Sequence, residues 1–187
     1  IYTYAIVGSA DVYKRQFDTY RIPATVLTTK GTILAFAEAR KHSRSDTGDI
    51  DLVLRRSTDG GQTWGEIITV WDDADNVCGN PAPVVDQTTG RIILLSTWNN
   101  GSDHEKEIHA RTSKDTRRVF VLYSDDDGRS WSQPREITSS VKRADWTWYA
   151  TGPCHAIQLK KGKQKIELWF PAVSYTHLRA HETRHDL

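Results

Sequence analysis

Arg21, in "YRIP", and Arg40, closing "AEAR", stand at the two ends of the first hairpin and are of the residue type that can hold an acid. A guanidinium presents a planar fork of donors that matches a carboxylate two bonds at a time, so an arginine at the end of a strand suits an acidic ligand. Just downstream, "SDTGDIDLVLRRS" offers three carboxylates, Asp46, Asp49 and Asp51. A carboxyl group within reach of a ligand can give and take a proton. Alternation separates them in part. Along "DIDLVLRR" Asp49 and Asp51 share the face of Val53 as strand positions, whereas Asp46 falls in the preceding loop, where side chains reach ligands more readily. The plain alternatives are structural: Arg21 in a surface ion pair, Arg40 paired with Glu38 or Asp46, and Asp46 as a solvated turn residue.

These side chains need strands to position them, and the sequence supplies hairpins. "RIPATVLTTKGTILAFAEAR" (21–40), "PAPVVDQTTGRIILLSTW" (81–98) and "PCHAIQLKKGKQKIELWFPA" (153–172) each set two β-rich runs around a polar turn with a glycine. The first two are followed by a second hairpin, which makes four strands per unit. The glycines Gly31, Gly90 and Gly162 are 59 and 72 residues apart, a little more than common propeller-blade periods, with room for long loops. The expected fold is all-β, a partial β-propeller of about two and a half blades of four-stranded antiparallel sheet. Each second hairpin turns on one motif, "STDGGQTW" at 57–64 and "SDDDGRSW" at 124–131. Its Ser and Asp can accept bonds from turn N–H groups, its Gly can take a positive φ, and its Trp can pack beneath. The expected role is a structural staple, since a calcium loop of the helix-loop-helix type needs helical flanks and a distal Glu.

That motif is the Asp box. With "YRIP" at 20–23, its two copies make residues 17–172 resemble the exo-α-sialidase (neuraminidase) family, six-bladed β-propellers that remove terminal sialic acid from glycans. The resemblance implies that Arg21 is the first of three arginines clamping the substrate carboxylate and that Asp46 is the general acid/base, with Asp49 as the second choice. Arg40 matches a further arginine near the pocket. Asn80, in "GNPAP", and Glu105, in "DHEKEI", stand where the family contributes pocket-lining polar groups. The implied reaction retains configuration through a tyrosine nucleophile, because a carboxylate nucleophile would be repelled by the substrate's own acid. That tyrosine, its activating Glu and the other two clamp arginines belong to later blades. The expectation is therefore a sialidase whose present 187-residue piece is inactive alone. A non-catalytic glycan-binding Asp-box propeller is the alternative. The implied partners are sialylated glycans, no metal or other cofactor is implied, and only the resemblance points to export from the cell.

Composition fits a small-molecule or carbohydrate partner. With 25 basic and 24 acidic residues and no basic stripe, nothing favours nucleic acid or a charged membrane surface. No apolar run is long enough to span a bilayer. Seven Trp suit pleated surfaces and sugar faces alike. Cys78 and Cys154 are too few to define a disulfide framework. The chain begins with Ile rather than Met, and "DVYKRQ" and "SYTHLRAHETRHDL" read as translated adapter sequence. The expected organisation is thus a non-native leader over 1–16, the partial propeller over 17–172 and a non-native tail over 173–187. The i, i+4, i+8 spacing of His177, His181 and His185 falls in that tail and is set aside as a metal site.

Overall fold

The computed structural model describes residues 17–152, 155–161 and 165–175. The elements are β1 (Thr19–Leu27), β2 (Ile33–Arg40), β3 (Ile50–Ser57), β4 (Ile68–Trp71), β5 (Val77–Val85), β6 (Ile92–Asn99), α1 (Glu105–Ala110), β7 (Arg118–Ser124), β8 (Arg135–Glu136), α2 (Thr138–Val141), β9 (Trp148–Thr151), β10 (Ile157–Lys161), β11 (Lys165–Trp169) and β12 (Ala172–Tyr175). Strands β1 to β4 pair antiparallel in order, and so do β5 to β8. A parallel pair, Ile50 with Val77, joins the two units. In the third unit β9 pairs with β12 and β10 with β11. This is the all-β arrangement expected, a partial β-propeller: two four-stranded blades and a third unit whose four short strands form two separate pairs. Strand β12 runs on to Tyr175, past the boundary expected at residue 172. Residues 1–16, Cys154 and the three C-terminal histidines lie outside the described residues. Cys78 is a buried thiol, and none of the described helices is long and apolar enough to cross a membrane.

The core lies between blades, which explains why β2 is buried along nearly its whole length. Side chains alternate across a strand. Leu34 and Phe36 therefore face the second blade, where they pack with Leu52, Leu54, Ile92, Leu94 and Leu122. The intervening Ala35, Ala37 and Ala39 face the other way. On β6, Leu95 joins Val119, Val121, Trp146, Tyr149 and Phe170 between the second and third units. Each fully buried Leu, Ile or Phe contributes about 1.5–3 kcal/mol, so the two seams fix the angle between blades.

Both Asp boxes act as turn staples. Asp59 accepts from the Thr63 amide at 2.9 Å and the Thr63 hydroxyl at 2.5 Å, and Ser57 accepts from the Gly61 amide at 2.8 Å. The second copy repeats this, with Asp126 accepting from Ser130 at 2.9 and 2.6 Å and Ser124 from the Gly128 amide at 2.9 Å. Those donors hold both aspartates at about 2; for Asp126 they outweigh the opposing effect of burial. Among the described residues no group of three His, Cys, Asp or Glu side chains is placed to hold a metal. Ser57 pairs with Ile33 and Ile50 with Arg40, so the first box sits at the far end of β3 from Arg40. Seven residue steps separate the ends, roughly 23 Å.

Candidate active site

A repeated bulge shapes the end of the sheet away from the Asp boxes. Between the pairs Arg21–Glu38 and Ala24–Phe36, two residues of β1, Ile22 and Pro23, stand opposite Ala37 alone. The same two-for-one step occurs in β5, where Asn80 and Pro81 stand opposite Ser96 between the pairs Gly79–Thr97 and Ala82–Leu95. Ile22 and Asn80 have φ of 53° and 52°. A positive φ is strained for a β-branched residue, and such strain gathers where a bulge must re-aim a side chain. Proline adds no N–H to be left unpaired. The side chain re-aimed in the first blade is Arg21.

Arg21, Arg40 and Asp46 meet at this end. One carboxylate oxygen of Asp46, Oδ1, lies 3.0 Å from Arg21 Nη1 and 2.7 Å from Arg40 Nη2. The same Arg40 Nη2 bonds Glu38 Oε2 at 2.5 Å. Arg40 Nη1 donates to the carbonyls of Arg44 and Ser45 at 2.7 and 2.6 Å, and Arg21 Nη1 reaches the Arg44 carbonyl at 3.2 Å. The two guanidiniums thus hold both the carboxylate of Asp46 and the backbone that carries it. Exposure divides the group: the side chains of Arg40 and Glu38 are 3% and 4% exposed, those of Arg21 and Asp46 43% and 66%.

The other two acids of this segment, Asp49 before β3 and Asp51 within it, are engaged elsewhere. Lys41 Nζ lies 2.9 Å from Asp49, 3.4 Å from Asp51 and 3.9 Å from Asp72. Its amide donates to the Asp49 carbonyl at 3.1 Å, closing the base of the loop, while Gly48 donates to the Gly101 carbonyl at 2.8 Å. Burial, with help from Asp72 and Asp49, pushes Asp51 up to about 6 against the pull of Lys41. Asp46 is the acid of the three that stands beside the arginines.

Asn80 adjoins the cluster through its backbone, its amide donating to Glu38 Oε1 at 2.9 Å. Its side chain is turned inward: Oδ1 accepts from Thr97 at 3.0 Å and from Arg117. Among the described residues no contact brings Glu105 to Arg21 or Arg40. It begins α1 and faces His109 Nε2 at 3.3 Å. The imidazole of His109 stacks on Trp148, and Arg117 lies 4.1 Å above the same indole. Burial lowers Arg117 to about 10, with Glu38, Glu105 and Asp46 opposing it. Trp146 and Tyr149 fill the seam between blades. Tyr20 is packed against alanines of the other face. The Tyr20 hydroxyl is buried with no hydrogen-bond partner, so it does not bond Asp46.

Sequence reading missed Arg117, since "DTRRV" offers two arginines and nothing to say which is buried. Glu38 was visible only as an alternative partner for Arg40. The available signal was the i, i+2 spacing of Glu38 and Arg40, which puts two charges on one face of the otherwise apolar "ILAFAEAR".

Residues 31–185 match the BNR repeat-like domain. The chain is 37% identical over 175 residues to an exo-alpha-sialidase of Aspergillus fumigatus, covering 84% of this chain and 42% of that protein. Human sialidase-3 is 34% identical over 165 residues, covering 84% of this chain and 37% of its own. Among solved structures, the Hadza microbial sialidase Hz136 superposes with a TM-score of 0.75 at 31% identity, covering 85% of this chain and 33% of its own. The chain spans about two fifths of the length of these curated relatives. Its Asp-box blades, its bulged "YRIP" strand and these matches agree: the chain belongs to the sialidase family, as a BNR repeat-like β-propeller.

Proposed function

We propose that this chain forms the acid/base end of an exo-α-sialidase, an enzyme that releases terminal sialic acid from glycoconjugates. The observation that carries the reading is the meeting of Arg21, Arg40 and Asp46 at one sheet end, with Asp46 on the open side. Sialic acid carries a carboxylate on its anomeric carbon. Arg21 is the exposed fork that receives it, one of the several arginines the family uses. Asp46 gives a proton to the glycosidic oxygen as the bond from that oxygen to the anomeric carbon breaks. Its carboxylate then takes a proton from the water whose oxygen completes the sugar. A tyrosine oxygen of a later blade, its proton passed to a neighbouring Glu, bonds the anomeric carbon as the glycosidic bond breaks; water then breaks that bond and the tyrosine takes its proton back. Glu38 keeps Arg40 neutralised and in place through both steps.

The test is a titration of the chain with N-acetylneuraminic acid, following the side-chain Nε–H signals of arginine by NMR. The Arg21 signal should move first, and Arg21→Met should abolish the response, while galactose moves nothing. Equal responses to galactose and N-acetylneuraminic acid would end the proposal.

A further inference from the structure

The cluster of four charges has a division of labour that the acid/base role of Asp46 does not require. Arg40 is buried and has its own buried counter-ion in Glu38 at 2.5 Å. Arg21 has no such partner: its ion pair is with Asp46, and its other bond is to the Arg44 carbonyl. The pair between Arg21 and Asp46 is exposed on both sides, so it is weak; the same Asp46 oxygen also lies 2.7 Å from Nη2 of the buried Arg40. Asp46 therefore occupies, with its own carboxylate, the fork that an acidic ligand needs.

Resting on the sialidase reading, the geometry points to Asp46 as an internal competitor that selects for a carboxylated sugar. A ligand carboxylate replaces that of Asp46 on Arg21 one for one, leaving the charge on the arginines balanced. Arg40 stays paired with Glu38 throughout, so the exchange strands no buried charge. Asp46, once displaced from Arg21, keeps its contact with Arg40 Nη2 and turns about it toward the bound sugar. A neutral sugar cannot make the exchange, because it would leave Arg21 with Asp46 still attached. Selection for the acidic sugar and release of the acid are then one event, carried by one side chain.

The experiment compares affinities of N-acetylneuraminic acid and its methyl ester, which keeps the sugar and removes the charge, for the 187-residue chain and two variants. Asp46→Ala removes the competitor. Asp46→Asn removes its charge and keeps a polar side chain in the loop, which guards against a rearranged backbone. The expected result is binding of the free acid about two to five times tighter in both variants, an exposed ion pair being worth about fivefold at most, with no gain for the methyl ester. Unchanged or weaker binding of the free acid by the variants, in a chain whose wild type binds it, overturns the competitor role and leaves the sialidase reading standing. Equal gains for acid and ester overturn it as well. Failure of all three proteins to bind the free acid overturns both.

Discussion

Gly79 stands so close to Glu38 that a Cβ on it would lie 2.4 Å from the carboxylate Oε1. In the two ladders Gly79 takes the place that Arg21 holds, the last paired residue before the bulge, opposite Thr97 as Arg21 is opposite Glu38. The absent side chain lets the first blade's acid reach the Asn80 amide of the second. One buried carboxylate thereby ties Arg40 to the neighbouring blade, and with it the bonds that Arg40 makes to the loop of Asp46.

Gly79→Ala should therefore destabilise the chain. Glu38 cannot retreat without loosening its 2.5 Å bond to Arg40 or its bond to the Asn80 amide. The expected cost is about 1–3 kcal/mol, read as a lower urea midpoint at unchanged slope. A midpoint equal to that of the parent would mean that the carboxylate is not held where the contacts place it.

Asp51→Asn should stabilise the chain at neutral pH. Its folded value of about 6 lies above the ordinary 3.8, so the folded state keeps a proton that the unfolded chain has already released. Stability then falls as pH rises from about 4 to 6, and the deficit persists above that window. The variant removes the deficit, while Lys41 keeps Asp49 at 2.9 Å. Thermal melts from pH 3.5 to 7.5 should show the variant ahead at pH 7 and level with the parent below pH 4. A variant that melts lower at pH 7 would contradict this.

The second Asp box also latches one blade to another. Asp127 accepts from the Thr32 hydroxyl at 2.6 Å and from Arg56 at 2.7 Å, and its carbonyl accepts from Arg56 Nε at 2.9 Å. The first box has Gly60 at the corresponding position, also with a positive φ. Asp127→Ala should cost about 2–4 kcal/mol, because Arg56 loses a buried counter-ion. In the Asp127→Ala background, Arg56→Met should add little. Full additivity of the two would show that they do not interact.

Much of this architecture was legible in the sequence because it is written in short-range terms. Strand alternation, turn glycines and the repeated Asp box specify hairpins, and hairpins in series specify blades. Arg21, Arg40 and Asp46 were accessible for the same reason, each lying at a strand end or in the loop beside one. The helical turns α1 and α2 were not foreseen, since they are short and lie in polar inter-strand segments where periodicity is uninformative. The inward turn of Asn80 was equally hidden. It depends on Arg117, 37 residues away, and pairing across blades leaves no local mark. The bulge at "RIP" and "NPAP" had a local sign, a proline two residues after the last inner pair, but the positive φ of Ile22 is imposed by the sheet and runs against its side chain's own preference.

The central claim is that Asp46, beside Arg21 and Arg40, serves as the acid/base of a sialidase. Its most direct test places this chain in the position of the matching segment of a sialidase relative and measures hydrolysis of a sialyl glycoside. The account predicts an active chimera whose kcat falls about 100-fold or more in Asp46→Asn, while Asp49→Asn stays near the parent. An active chimera indifferent to Asp46→Asn, or one silenced by Asp49→Asn instead, would contradict it.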